Sequence, residues 1–167
     1  MALGTYDGIS PVRFTAAGVS EVSFVTTDSA ALAHRKLGDR LTVNGEDYVF
    51  VHNAMTSAAT QGVALTISAV SGYSLTRSTI AGADIVIGFN KHQDIPAGGY
   101  AWAMTRGLVS PNNVSAICAG VIICVGLDGV VQTYTTATSF DPGILGKMVV
   151  SAVSSTGGGL AYVKCMG

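Results

Sequence analysis

Charge is scarce in this sequence. Asp, Glu, Lys and Arg make up 11% of its 167 residues, against about 25% in an average globular protein. Nine basic and ten acidic side chains leave a net charge of −1. The densest basic stretch, His34-Arg35-Lys36, is soon followed by Asp39. Phosphate recognition needs a concentrated positive face, so nucleic acid is excluded as a partner. Cysteine is also rare. Cys118, Cys124 and Cys165 are odd in number and lack CxxC spacing, which excludes a disulfide framework and a zinc site. Free cysteines of this kind suit synthesis in a reducing cytoplasm. No apolar run approaches the roughly 18 residues of a spanning helix. The best candidate, Ala116–Leu127, is interrupted by Gly120 and Gly126 and ends at Asp128-Gly129. It reads as a buried strand. No regular series of ten-residue strands announces a transmembrane barrel, so no membrane partner is expected. Residues 1–8 have neither a basic start nor an apolar core, so no secretory leader is expected.

What remains is apolar and rich in turns. Hydrophobic residues reach 49% and mean hydropathy is +0.47. A body with so few charges tends to associate. Outside a membrane, this composition implies a surface covered by copies of the chain or by partners.

Strand signals dominate from Arg40 onward. Leu41–Val43 and Tyr48–Val51 flank Asn44-Gly45, a pair that tolerates the positive φ of a two-residue hairpin; Glu46 and Asp47 leave the loop length open. Val63–Val70, Tyr73–Ile80 and Ile85–Ile87 follow. After the Pro96–Gly99 turn, Tyr100, Trp102 and Met104 alternate with Ala101 and Ala103, the pattern of a strand with one bulky face. Gly126–Gly129 marks a second hairpin, and Lys147–Val153 and Leu160–Cys165 read as the last strands. One helix is expected, over Asp28–Leu37, capped by Asp28 or Ser29 and ended by Gly38. Many short strands with frequent turns indicate a sandwich or barrel. The expected fold is therefore all-β, a β-sandwich or jelly-roll-like barrel with an extended N-terminal arm and at most one short helix. Residues 1–27 form an arm or the first strands, and residues 28–167 form the body.

Chemistry is hard to find. His34, His52 and His92 sit in no metal or triad motif. Among the carboxylates, Glu21, Glu46, Asp47, Asp84, Asp94, Asp128 and Asp141, several are simply turn residues. Gly143–Lys147 resembles the end of a phosphate loop, but Asp141 stands where its first glycine belongs and Met148 where a Mg-binding hydroxyl belongs. Asn113-Val114-Ser115 matches a glycosylation sequon by chance. Tyr100 and Trp102 share one strand face, either as a sugar platform or as core. No catalytic residue, cofactor or metal ligand is assigned, and the chain is not expected to be an enzyme.

Several elements recur in a characteristic order. They are Leu37-Gly38-Asp39-Arg40 before Tyr48–Val51, then Gln61-Gly62-Val63, then Ile95-Pro96-Ala97-Gly98-Gly99-Tyr100-Ala101-Trp102 with Arg106-Gly107. Ala119-Gly120, Asp128-Gly129-Val130 and Ile144-Leu145-Gly146 complete the series. In this order they resemble the decoration, cement or minor head proteins of tailed bacteriophages. The resemblance covers roughly residues 37–167. It implies a structural virion protein on the outer capsid surface, made in the host cytoplasm. Its partners would be the major capsid protein and copies of itself, as a trimer before a dimer. The arm residues Val12, Phe14, Val22 and Phe24 are the candidate shell or subunit contacts; the alternative is that they belong to the body's first strands. A second reading is a receptor- or carbohydrate-binding β domain of a virion.

Overall fold

The computed structural model describes residues 21–32, 35–67, 73–76, 85–135, 144–155 and 158–165. It is an almost entirely β protein built around a closed barrel, as its strand grammar predicts. The strands are β1 (Val25–Thr26), β2 (Arg40–Val43), β3 (Glu46–Asn53), β4 (Ala64–Ile67), β5 (Ser74–Thr76) and β6 (Val86–Phe89). They continue with β7 (Tyr100–Val109), β8 (Ile122–Val125), β9 (Val131–Thr133), β10 (Ile144–Val150) and β11 (Leu160–Lys164).

Five strands close the barrel in the order β3-β5-β4-β6-β7, with β7 pairing back onto β3. The β3–β5 pair is parallel and the others are antiparallel. β7 then passes beyond the ring. Its C-terminal half pairs with β11, which leads through β10 and β8 to β9. A second sheet thus grows out of the barrel along one shared strand.

The side-chain alternation of β3 and β7 divides the interior in two. Val49 and Val51 of β3, Ala101 and Ala103 of β7, Leu65, Leu75 and Ile87 form one buried cluster. All five ring strands contribute to it, so it fills the barrel. A five-stranded ring is narrow, and interior diameter grows with strand number. The small alanines of β7 fit that limit. The opposite faces of the same strands carry Tyr48, Phe50, Trp102 and Met104. These join Val109, Ile123, Val125, Val131, Leu145, Met148 and Val163 in a second cluster between the barrel and the other sheet. The alternation in β7 was legible in the sequence. That both of its faces are buried follows only from the ring.

The turns fall where expected. Asn44 (φ 53°) and Gly45 (φ 81°) make the two-residue connection, with Val43 opposite Glu46, so Glu46 and Asp47 belong to the strand. The second hairpin closes with Val125 opposite Val131. Asn53, wholly buried, organises the turn before β7. Its Nδ2 donates to the carbonyls of Ser57 (3.0 Å), Ile95 (2.9 Å) and Pro96 (3.0 Å), and its Oδ1 accepts from the Met55 N–H. Buried carbonyls need such partners.

The expected helix is corrected. Only Ser29–Leu32 is helical there, as one 3-10 turn, and residues 33–34 lie outside the description. A helix this short depends on tertiary support, and the chain spends its contacts otherwise. The Gly38 N–H donates to the Phe50 carbonyl and Asp39 accepts from the Phe50 N–H, which extends the sheet instead. The apolar run at residues 116–127 also splits. Ile117 makes an isolated bridge to Ala152, Cys118 is exposed, and only Cys124 is buried in β8. The later parts of the Val63–Val70 and Tyr73–Ile80 runs fall outside the described residues.

Gly146 tests the packing of the second sheet. Its φ is 152°, and a Cβ there would be driven against the Tyr162 carbonyl of the adjacent strand. Left-handed strain and the backbone clash add. Gly146→Ala is expected to cost about 2–4 kcal/mol of unfolding free energy in urea titration. Gly45→Ala, where a Cβ meets nothing within 4 Å, is expected to cost only about 1 kcal/mol. Equal effects of the two substitutions would contradict this packing.

Candidate functional site

Among the described residues, three regions hold side chains of functional interest. The first is a polar cluster where β3 begins. Glu46 accepts from Lys91 Nζ (2.5 Å), from the Tyr48 hydroxyl (2.7 Å) and from the Leu108 N–H (3.3 Å). His92 stacks on Tyr48 with ring centroids 5.7 Å apart, and its Nε2 lies 3.1 Å from the Tyr48 oxygen. The phenol has one proton, which it gives to Glu46. Nε2 must therefore carry the hydrogen and donate to the phenol oxygen. Burial lowers the His92 pKa, and the neighbouring Lys91 charge adds to that against the opposing pull of Glu46, so the ring is neutral near pH 7. Burial raises the Glu46 pKa, but the hydrogen bonds from Lys91 and Tyr48 outweigh it and hold the carboxyl below its usual range. Burial and the Glu46 carboxylate push the Tyr48 phenol up. With three donors on one carboxylate, the cluster acts as a clamp joining β3, the segment before β7 and the far end of β7.

The second region is a cleft of about 230 Å³ beside the β8–β9 turn, lined by Ala59, Val63, Leu65, Thr76, Asn112 and Val130 among others. Small-molecule sites usually span about 300–1,000 Å³. The cleft is small and largely apolar, with no cluster of titratable groups lining it.

The third region is the outer face of the second sheet. Along β7, β8, β10 and β11 the inward residues Gly107, Val109, Ile123, Met148, Ala161 and Val163 are buried. Between them point Leu108, Ile122, Val149 and Tyr162, each 40–52% exposed. Register makes them neighbours: Leu108 lies opposite Tyr162, Tyr162 opposite Lys147, and Lys147 opposite Ile122. Arg106 and Lys164 form the next row.

The residues singled out in the sequence are dispersed. Val22 is buried in the inter-layer core, and Phe24 is half-buried against it. Phe24 lies 6.5 Å from the Phe50 ring, and the Arg35 guanidinium sits 3.9 Å above its face. Val25 and Thr26 pair with β7. Residues 21–26 thus lie along the body; Val12 and Phe14 lie outside the described residues. Trp102 is 2% exposed and fills the core, while Tyr100 is half-buried between His52 (4.5 Å) and Phe50 (6.4 Å). No sugar platform forms from that pair. Asn113 is buried, which removes the sequon from reach of modification. Ile144–Lys147 belong to β10, and a strand cannot wrap a phosphate. Asp128 sits in the hairpin turn with φ 56°, and Asp94 accepts the Gln61 N–H. His34, Asp84, Asp141 and Gly143 lie outside the described residues. Among the described residues, no helix is long and apolar enough to cross a membrane.

The outer face went unnoticed in the sequence. Its members come from four separate strands, and only the register brings them together. The alternation in Leu160–Lys164 was a readable signal, but which parity faces outward was not. No protein-family model matches the sequence, and no curated protein matches it significantly.

Titration tests the clamp. A carboxyl with a depressed folded pKa contributes stability above its unfolded pKa, and loses it as pH falls through the folded value. Unfolding free energy is therefore expected to decline below about pH 4.5. Glu46→Gln should flatten that decline and cost about 1 kcal/mol at pH 7. An unchanged acid limb in chemical denaturation would show that the clamp contributes nothing.

Proposed function

We propose that the chain is a structural virion protein that binds the outer surface of a bacteriophage capsid and decorates or cements neighbouring capsomers. The observation that carries this reading is the placement of the resembling elements. Leu37–Arg40 leads into β2, Gln61–Val63 into β4, and Ile95–Gly99 into β7. Ala119-Gly120 precedes β8, Asp128–Val130 turns into β9, and Ile144–Gly146 starts β10. They lie at the entries to strands spread across one β framework, which supports reading the resemblance over the whole body.

Physical arguments support the same reading. Two buried clusters absorb most of the large side chains, and the polar groups of the clamp and of Asn53 are used to hold loops. A body of this kind suits persistent contact with neighbours. Many weak contacts repeated over a lattice gain avidity without individually strong affinity. Copies of the chain as a trimer, or a dimer, on a capsid symmetry axis would supply that repetition. The sugar-binding alternative has lost its principal support with the burial of Trp102.

The test is co-sedimentation of the purified chain with phage heads that lack it. The expected result is saturable binding at a fixed ratio to the major capsid protein, with the ratio identifying the symmetry position. Absence of binding to both precursor and mature heads would overturn the proposal.

A further inference from the structure

We propose that the outer face of the second sheet is the docking surface, and that it takes a folded protein surface that is acidic around an apolar centre. This inference rests on the binding role proposed above and names the surface and the partner's chemistry.

The face is continuous. Leu108, Tyr162, Lys147 and Ile122 form one row across β7, β11, β10 and β8, and Val149 lies two residues beyond Lys147 on the same strand. Contiguous apolar exposure of this kind marks an interaction site more often than scattered single residues do. The basic side chains of the band are Arg106, Lys147 and Lys164. Arg106 is answered by Asp47 at 2.8 Å, and the nearby Glu46 is taken by Lys91. Lys147 and Lys164 have no carboxylate within ion-pairing distance among the described residues.

That charge pattern selects the occupant. A two-fold pairing of this face with a second copy would gather four lysines into one contact, and like charges collected in an interface disfavour it. A partner with carboxylates would satisfy both lysines, while Tyr162 and Ile122 would supply the apolar centre. Tyr is enriched among residues that dominate protein interfaces. Phosphatidylserine vesicles are the control for a lipid surface, whose interface also takes apolar side chains flanked by lysines.

The test uses the ¹⁵N-labelled full chain and a random copolymer of glutamate and tyrosine as the acidic, apolar probe. The expected result is amide shifts confined to residues 106–108, 122, 147–149 and 162–164. The lysine–tyrosine copolymer should leave those amides unmoved. Lys147→Glu with Lys164→Glu should weaken the response about tenfold or more, as should Ile122→Ser with Tyr162→Ser, while both variants keep the dispersed spectrum of the folded chain. Several results would overturn the inference. They are shifts mapping elsewhere, an equal response to the lysine–tyrosine copolymer, and a response to phosphatidylserine vesicles without one to the acidic copolymer. Dimerisation through this face without any probe would also overturn it. The lysine double variant, carried into the head co-sedimentation, separates the two proposals. If it binds heads as the parent does, the surface assignment fails and the decoration role stands. If the parent ignores heads while the copolymer maps to this face, the decoration role fails and the surface stands.

Discussion

The structure depends on β7 serving two layers at once. Its N-terminal half completes the barrel by pairing with β3, from His52 opposite Tyr100 to Asp47 opposite Arg106. Its C-terminal half carries the second sheet through β11. The strand changes partners around Gly107, whose φ of 146° accompanies the register shift between Asp47 and Tyr48 on β3. A glycine there lets the backbone adopt this conformation at no steric cost. It also keeps clear the space that the Glu46 side chain and the Met104 sulfur occupy. Without that continuity the barrel and the sheet would be two fragments with an apolar face each. With it, Trp102 and Phe50, 5.1 Å apart, lie in a core that both layers share.

This arrangement determines what is left for the outside. The barrel interior is filled by aliphatic side chains, with small alanines on β7. The outer barrel face, including the aromatic row of Tyr48, Phe50, Tyr100 and Trp102, is covered by the second sheet and by residues 21–32. The Glu46 clamp locks the start of β3 to the segment carrying Lys91 and His92. Among the described residues, the far side of the second sheet carries a continuous exposed apolar row interrupted by Lys147, with Lys164 beside it. A small set of charges placed around an apolar patch can direct partner choice more than it adds to raw affinity. The low overall charge of the chain gives those few lysines more influence.

Much of the architecture was legible because local and global preferences agree. Asn44-Gly45 specifies its turn by conformation alone, and the alternation of Tyr100–Met104 specifies a strand. The all-β class and the positions of most turns follow from such local rules. Of the helix expected over Asp28–Leu37 the described residues keep one 3-10 turn, Ser29–Leu32, because so short a segment does not sustain an α-helix by local propensity alone. Parity gave no hint that the Ala101 and Ala103 face would be interior, since a sheet open to water on that side would look the same. The clamp was equally hidden. Glu46, Lys91 and Leu108 are far apart in sequence, and no motif spacing joins them. The outer face shares that difficulty, being an outcome of register between strands.

The most direct measurement of the central claim is a pair of cryo-electron-microscopy reconstructions, of heads carrying the chain and of heads lacking it. The account predicts extra density at fixed positions on the shell, fitting a barrel whose second sheet is turned towards the capsid with Tyr162 and Lys147 at the contact. Identical reconstructions would contradict the decoration role. Density seated through the barrel side, with the second sheet facing solvent, would contradict the surface on which the account depends.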